Sequence, residues 1–401
     1  MYKIIFSGVF TGLILALFFA YTQKQTDELP NSFFEVAQQI VKNCGNSEHI
    51  STCYDEEIPK LMDAGYSMED AFEATREVQL LDDSYQYCHV LGHYLAGKET
   101  AKDPNNWKDV VARAPLGVCS NGAVHGAFQE KFRAASLENV PMDDVVPELR
   151  GICEPRDGWE PTQMGIATCT HALGHLTMYV TNGDIVDSLE LCDQLLAPNL
   201  NDAVRQLCYD GVFMQIFQPL EPEDFALIVG KEIETKKAAT IFCSQFDGAR
   251  FGSCVSEGWP LYRESLEHPE TISIACAVIN FDSWQYERCL NGMFYVAMAM
   301  SNLDVAWAVS FCSEVPEEIR GLCFSNSASR LIETDNRNVQ KALMLCEKSK
   351  IVQQEFACYS ELVKYSSYIF KVGSDEFIEL CSGMPQPYTN QCFGTMKRSN
   401  T

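Results

Sequence analysis

Five of the chain's seven histidines fall between residues 89 and 175, in three short motifs whose spacing suits metal chemistry. The motifs are Cys88-His89-Val90-Leu91-Gly92-His93, then Cys119-Ser120-Asn121-Gly122-Ala123-Val124-His125-Gly126, then Cys169-Thr170-His171-Ala172-Leu173-Gly174-His175. The first and third share His-x-x-Gly-His. On a helix, residues four apart lie on one face a turn from each other, so both imidazoles of such a pair can reach one ion. The glycines beside the histidines allow neighbouring helices to approach closely. A cluster of neutral imidazoles suits zinc, copper, iron or nickel, and five of them would serve one or two ions.

His125 and His175 each follow a cysteine by six residues, so in a repeating structure they occupy equivalent positions on successive helices. His93, His125 and His175 are therefore expected to converge from three adjacent helices, with His89 and His171 beside them. The same register puts Met214 six residues after Cys208 and gives Asp210 the offset of His171. Met214, if a ligand, would favour copper, and Asp210 or Glu130 would support the ligands from behind. The competing reading is that the duplicated histidines only hydrogen-bond between helices. Covalently attached haem is disfavoured because Cys-x-x-Cys-His does not occur. His49 and His268 belong to no motif and are expected at the surface.

The helices that must carry these histidines are announced by the cysteines. Eight neighbouring pairs run along the chain: Cys44 with Cys53, Cys153 with Cys169, Cys192 with Cys208, Cys243 with Cys254, Cys276 with Cys289, Cys312 with Cys323, Cys346 with Cys358 and Cys381 with Cys392. From Cys243 onward their first members recur every 33, 36, 34 and 35 residues, the period of a two-helix repeat. In one unit, apolar Val305, Ala306, Ala308 and Val309 lead to Cys312, Pro316 with Glu317-Glu318 restarts the chain, and Ile319, Leu322, Cys323 and Leu331 form a second stripe. The next unit predicts helices over 339–346 and 353–368. The first cysteine thus ends helix A and the second lies one turn into helix B, close enough for a bridge that fixes the hairpin.

The expected fold is all-α, an α-solenoid of disulfide-clipped helical hairpins. A regular cysteine ladder can also bind structural metal, but zinc ribbons need Cys-x-x-Cys, which is missing. Cys88 and Cys119 lie outside the ladder. They most simply pair with each other beneath the histidines; otherwise one is a thiolate ligand or nucleophile beside His89.

Eighteen cysteines are an oxidised-compartment feature. Residues 4–21 form an apolar run between Lys3 and Lys24, either a signal peptide or an uncleaved anchor, with the acidic remainder exported. The chain is then membrane-anchored with its bulk extracytoplasmic, or secreted if the segment is cleaved. A net charge of −25 argues against nucleic acid as a partner. The organisation expected is a signal or anchor over 1–24, a histidine-bearing repeat region over 28–240 and regular cysteine-paired repeats over 241–401.

Over roughly residues 153 to 401 this architecture resembles the disulfide-bridged Sel1-like repeat proteins within the wider tetratricopeptide-type solenoids. Cys208-Tyr209-Asp210-Gly211 and Cys289-Leu290-Asn291-Gly292 are similar to the Cys-x-x-Gly helix start of that group, whereas its Leu-Gly-x-x-Tyr signature is missing. The resemblance implies ligand or protein binding on a concave face, and transfers no catalytic residue.

Gly-x-Ser-x-Gly, phosphate-binding glycine loops, His-Glu-x-x-His and the EF-hand pattern do not occur. Trp284, Tyr286, Phe294, Tyr295, Met298 and Met300 read as core stripes. Two functions remain: a cell-envelope protein with a histidine-rich zinc, copper or iron site, either oxidoreductase or zinc hydrolase if it is an enzyme, or a scaffold that binds an envelope protein or peptide on its concave face.

Overall fold

The computed structural model describes residues 32–133, 146–147, 149–197, 202–220, 222–279 and 284–395. The apolar run over 4–21 lies outside these residues. Within them no helix is long and apolar enough to cross a membrane, and the fold is all-α, with one isolated bridge between Arg156 and Trp159 in place of any strand.

The principal helices are α1 (Phe33–Cys44), α2 (Ile50–Glu57), α3 (Met68–Leu81), α4 (His89–Lys102), α5 (Gly122–Arg133), α6 (Gln163–Val180), α7 (Ile185–Leu195), α8 (Asp202–Phe217), α9 (Lys236–Cys243) and α10 (Gly248–Glu257), followed by α11 (Trp284–Met300), α12 (Val305–Glu314), α13 (Glu317–Thr334), α14 (Val339–Lys348), α15 (Glu355–Ile369), α16 (Asp375–Gly383) and α17 (Tyr388–Gly394). Their starts follow local chemistry. Ser67 and Asp70 form a reciprocal capping box at 3.0 and 2.9 Å, and Thr162, Asp184, Thr235 and Asp304 each cap the next helix through a side-chain oxygen. Pro316 restarts the chain at α13 as its spacing predicts. The turns before α7 and α12 are built alike: Asn182-Gly183 and Asn302-Leu303 both take left-handed backbone before the capping aspartate. Leu303 adopts φ 60° there, a conformation that costs a branched side chain energy and is held by its burial.

Nine disulfides account for all eighteen cysteines, and none is free. Eight are the bonds of the ladder: Cys44 to Cys53, Cys153 to Cys169, Cys192 to Cys208, Cys243 to Cys254, Cys276 to Cys289, Cys312 to Cys323, Cys346 to Cys358 and Cys381 to Cys392. The ninth joins Cys88 to Cys119. In α1, α9, α12, α14 and α16 the first cysteine lies at or near the helix end. Its partner, Cys53, Cys254, Cys323, Cys358 or Cys392, sits about one to two turns into the following helix. Two units depart from the expected form: Cys153 lies in a turn, and the segment ending at Cys276 is a 3-10 helix over Pro269–Cys276 rather than an α-helix. Nine bonds of this kind point to an oxidising, extracytoplasmic environment.

The second helices of successive units, α4, α5, α6, α8, α10, α11, α13, α15 and α17, pack each on the next. The series then bends back on itself. Helix α6 touches α15, and the turn before α5 touches α13. The approach is fixed by hydrogen bonds spanning more than two hundred residues: Asn336 N to Gly117 O at 2.9 Å, Arg76 Nη2 to Asn336 Oδ1 at 3.1 Å, Gln86 N to Asn302 Oδ1 at 3.2 Å and Arg337 Nη2 to Gln79 Oε1 at 3.2 Å. Such contacts place the histidine-bearing helices inside the molecule, opposite the later repeats.

The core stripe expected on α11 is correct for Tyr286, Phe294 and Met298, which are buried. Trp284 and Met300, 43 % and 40 % exposed, are not part of it. They sit in the first and last turns of the helix, where fewer neighbouring elements cover the chain.

Candidate metal centre

The site begins with backbone contact between helices. A methyl group built on Gly122 would lie 2.1 Å from His89 O, and one on Gly126 would lie 2.1 Å from His93 O. The same arrangement joins α6 to α8, where a methyl on Gly174 would meet Cys208 O at 2.0 Å and one on Gly211 would meet His171 O at 2.2 Å. Only glycine permits such approach, and it draws the imidazoles beside these carbonyls into one volume.

All five motif histidines share that volume. His93 Nε2 stands 3.1 Å from His89 Nε2, and His175 Nε2 stands 3.2 Å from His171 Nε2. His125, on the helix between the pairs, has its ring 5.1 and 5.2 Å from those of His89 and His93, and 5.4 and 5.1 Å from those of His171 and His175. Among the described residues, His89, His93 and His125 form the set of three potential ligands whose nitrogens all fall within 4.8 Å of one another. These three and His175 are buried, and His171 is half-buried. His49 and His268 lie apart, on exposed positions.

Ring orientation is imposed from outside the cluster. His89 Nδ1 donates to the Ser120 carbonyl at 3.3 Å, and His175 Nδ1 donates to Gln215 Oε1 at 2.7 Å. In a neutral imidazole with Nδ1 protonated, Nε2 carries the lone pair, so both rings turn an acceptor nitrogen toward their partners. Metal-ligating histidines are commonly held this way, by an oxygen on the far ring nitrogen.

The Ser120 carbonyl owes its direction to an uncommon turn. Cys119, Ser120 and Asn121 all have positive φ, at 49°, 48° and 61°. The Cys88–Cys119 disulfide ties this turn to the start of α4, and Asn121 Oδ1 accepts from Gly117 N at 2.7 Å. Three consecutive left-handed residues without a glycine cost on the order of 1–3 kcal/mol each, and such strain gathers at functional sites. Spacing alone offered no sign of this turn.

Burial keeps four of the five rings neutral. Desolvation, followed by the neighbouring His93 and His175, lowers the pKa of His89 to about 3. Desolvation and the surrounding imidazoles hold His125 well below the usual range. His171 is also depressed by burial, by His175 and His89, and by the Arg288 cation. His175 is lowered by burial against opposing contributions from Gln215 and Asp224. Unprotonated at neutral pH, these four rings keep their lone pairs available for coordination.

Asp210 and Met214, two of the supports expected from register, lie on α8, and Glu130 lies on α5. Asp210 is buried but accepts from Arg288; its Oδ1 has no hydrogen-bond partner in the protein. Met214 is half-exposed, and Gln215 reaches His175 instead. The reason is geometric: Gly211 is the point of contact with α6, and Gln215, four residues on, lies one turn further along the same face. Glu130 lies near Gly97, a turn beyond His93 on α4. Tyr87, not singled out by the motifs, stacks on His89 with ring centroids 6.2 Å apart.

No protein-family model and no curated protein matches the chain. Fold and site together describe a disulfide-rich, all-α protein with a cluster of five largely buried histidines.

Proposed function

We propose that this is an exported metalloprotein, a curved array of disulfide-clipped hairpins in which His89, His93 and His125 bind one transition-metal ion. The single observation that carries the reading is the facing pair on α4. His89 Nε2 is fixed as a lone-pair nitrogen by the Ser120 carbonyl and lies 3.1 Å from His93 Nε2. Metal–nitrogen bonds of about 2.0–2.1 Å separate adjacent ligands by roughly 2.9 Å in an octahedron and roughly 3.4 Å in a tetrahedron. The observed separation falls between these values, and His125 supplies the third donor.

Three imidazoles without a carboxylate suit zinc or copper, with iron a weaker fit. They also leave a coordination position for water or substrate, the arrangement of a catalytic rather than a structural ion. With zinc, the bound water would ionise near neutral pH and serve a hydrolase; with copper or iron, the open position would serve redox chemistry. The apolar run over 4–21 makes export, as an anchored or cleaved protein, part of the same proposal. A scaffold with an open concave face is less well supported, because hydrogen bonds between Arg76, Gln79 and Gln86 on one side and residues 302–337 on the other bring distant repeats together.

Metal analysis of the purified chain, beside His89→Ala/His93→Ala/His125→Ala, tests the reading. At least one equivalent of zinc, copper or iron in the parent and a large loss in the variant are expected. Negligible metal in both, after exposure to each ion, removes it.

A further inference from the structure

We infer that His171 and His175 hold a second metal ion, so that the cluster is a two-ion centre with His125 between the ions. This rests on the reading of His89, His93 and His125 as a metal site, and extends it to residues that set does not use.

The first argument is one of reach. Ligands of one ion lie no further apart than about 4.2 Å, twice a metal–nitrogen bond of about 2.1 Å. Within 4.8 Å, the set that closes among the described residues contains His89, His93 and His125 and does not extend to His171 or His175. One ion therefore cannot gather all five rings as they stand.

The second argument is that the two pairs are built alike. Each is a His-x-x-Gly-His turn, with Nε2 atoms 3.1 Å apart on α4 and 3.2 Å apart on α6. In each, a histidine carbonyl lies against a glycine of the next helix, Gly122 or Gly126 in one case and Gly211 in the other. In each, one Nδ1 is tied to an oxygen, Ser120 O for His89 and Gln215 Oε1 for His175. Gln215 comes from α8, the helix whose Leu207 backbone also hydrogen-bonds His171, and its Nε2 is buried without a protein partner. A carboxamide placed there orients His175 toward His171 at a polar cost that a packing role would not require. Two imidazoles give a weaker site than three, with its remaining positions open to water.

The test is a titration of the metal-stripped full chain with Zn2+ alone, against a chromophoric chelator, with bound zinc counted after dialysis. Two equivalents are expected in the parent, the second held at least tenfold more weakly. His171→Ala/His175→Ala should retain only the tighter equivalent, whereas His89→Ala/His93→Ala should lose it. One equivalent in the parent, or two in His171→Ala/His175→Ala, overturns the second ion and leaves the first. None in the parent overturns both. Should the double variants fail to fold, the stoichiometry of the parent decides between one ion and two, and Gln215→Leu should weaken only the second equivalent.

Discussion

Replacing Gly122 by alanine probes the connection between helix packing and metal binding. The new methyl carbon would start 2.1 Å from His89 O, whereas a carbon and a carbonyl oxygen rest at roughly 3.3 Å. Helices α4 and α5 must therefore separate by about 1.2 Å, or the start of α5 must unwind. Overpacking of this kind costs about 1–3 kcal/mol. The same displacement moves His125 away from His89 and His93, whose nitrogens now close within 4.8 Å of its own. Bonds of about 2.0–2.1 Å do not stretch to follow it, so zinc affinity should fall by about 100-fold or more, beyond the loss in stability. The assay is a pair of measurements on the oxidised chain: the thermal midpoint without metal, and the zinc dissociation constant by chelator competition. A midpoint lowered by several degrees together with weakened binding is expected. Parent-like zinc affinity in a folded Gly122→Ala would refute the claim that glycine contact sets the coordination geometry.

Further outcomes follow from the same structure. The metal-free chain should lose stability on acidification. A buried histidine whose pKa is lowered from 6.5 to about 3, as for His89, binds its proton more readily unfolded, so stability is complete above about pH 6.5 and declines as pH falls toward 3. Denaturant melts between pH 7 and 4 should show this decline, reduced in His89→Gln; equal slopes would contradict it. Removing the bond that closes the 31-residue separation between Cys88 and Cys119, by alanine at both, should destabilise by about 3–4 kcal/mol. It should also weaken zinc binding by releasing the Ser120 turn, and binding unchanged in a folded variant would show that the turn does not orient His89. Peptide mapping of the oxidised chain should find Cys312 joined to Cys323 and no free thiol, and a different pairing would break the repeat.

The fold was legible wherever its physics is local. Cysteine spacing, Pro316 and the apolar stripes place α12 to α15 within about two residues, because caps and short-range periodicity determine those boundaries. The motif histidines were legible for the same reason, since His-x-x-Gly-His specifies a face. What the spacing missed depends on pairs of helices. Gln215 instead of Met214 follows from the contact of Gly211 with α6, and a relative rotation of two helices leaves no mark on either sequence. The left-handed run Cys119-Ser120-Asn121 has no glycine to signal it and is held by a disulfide and a distant backbone contact. The approach of residues 76–88 to 302–341 likewise rests on hydrogen bonds between residues more than two hundred apart, which no single unit encodes.

X-ray absorption at the metal edge tests the central claim most directly. Loaded with one equivalent of zinc, the chain should show nitrogen or oxygen scatterers at about 2.0–2.1 Å with the outer-shell pattern of about three imidazoles. In His89→Ala/His93→Ala the tighter equivalent should be lost, and any zinc that remains should show no more than two imidazoles. A first shell without imidazole, or one unchanged by the substitutions, would contradict the assignment of the ion to His89, His93 and His125.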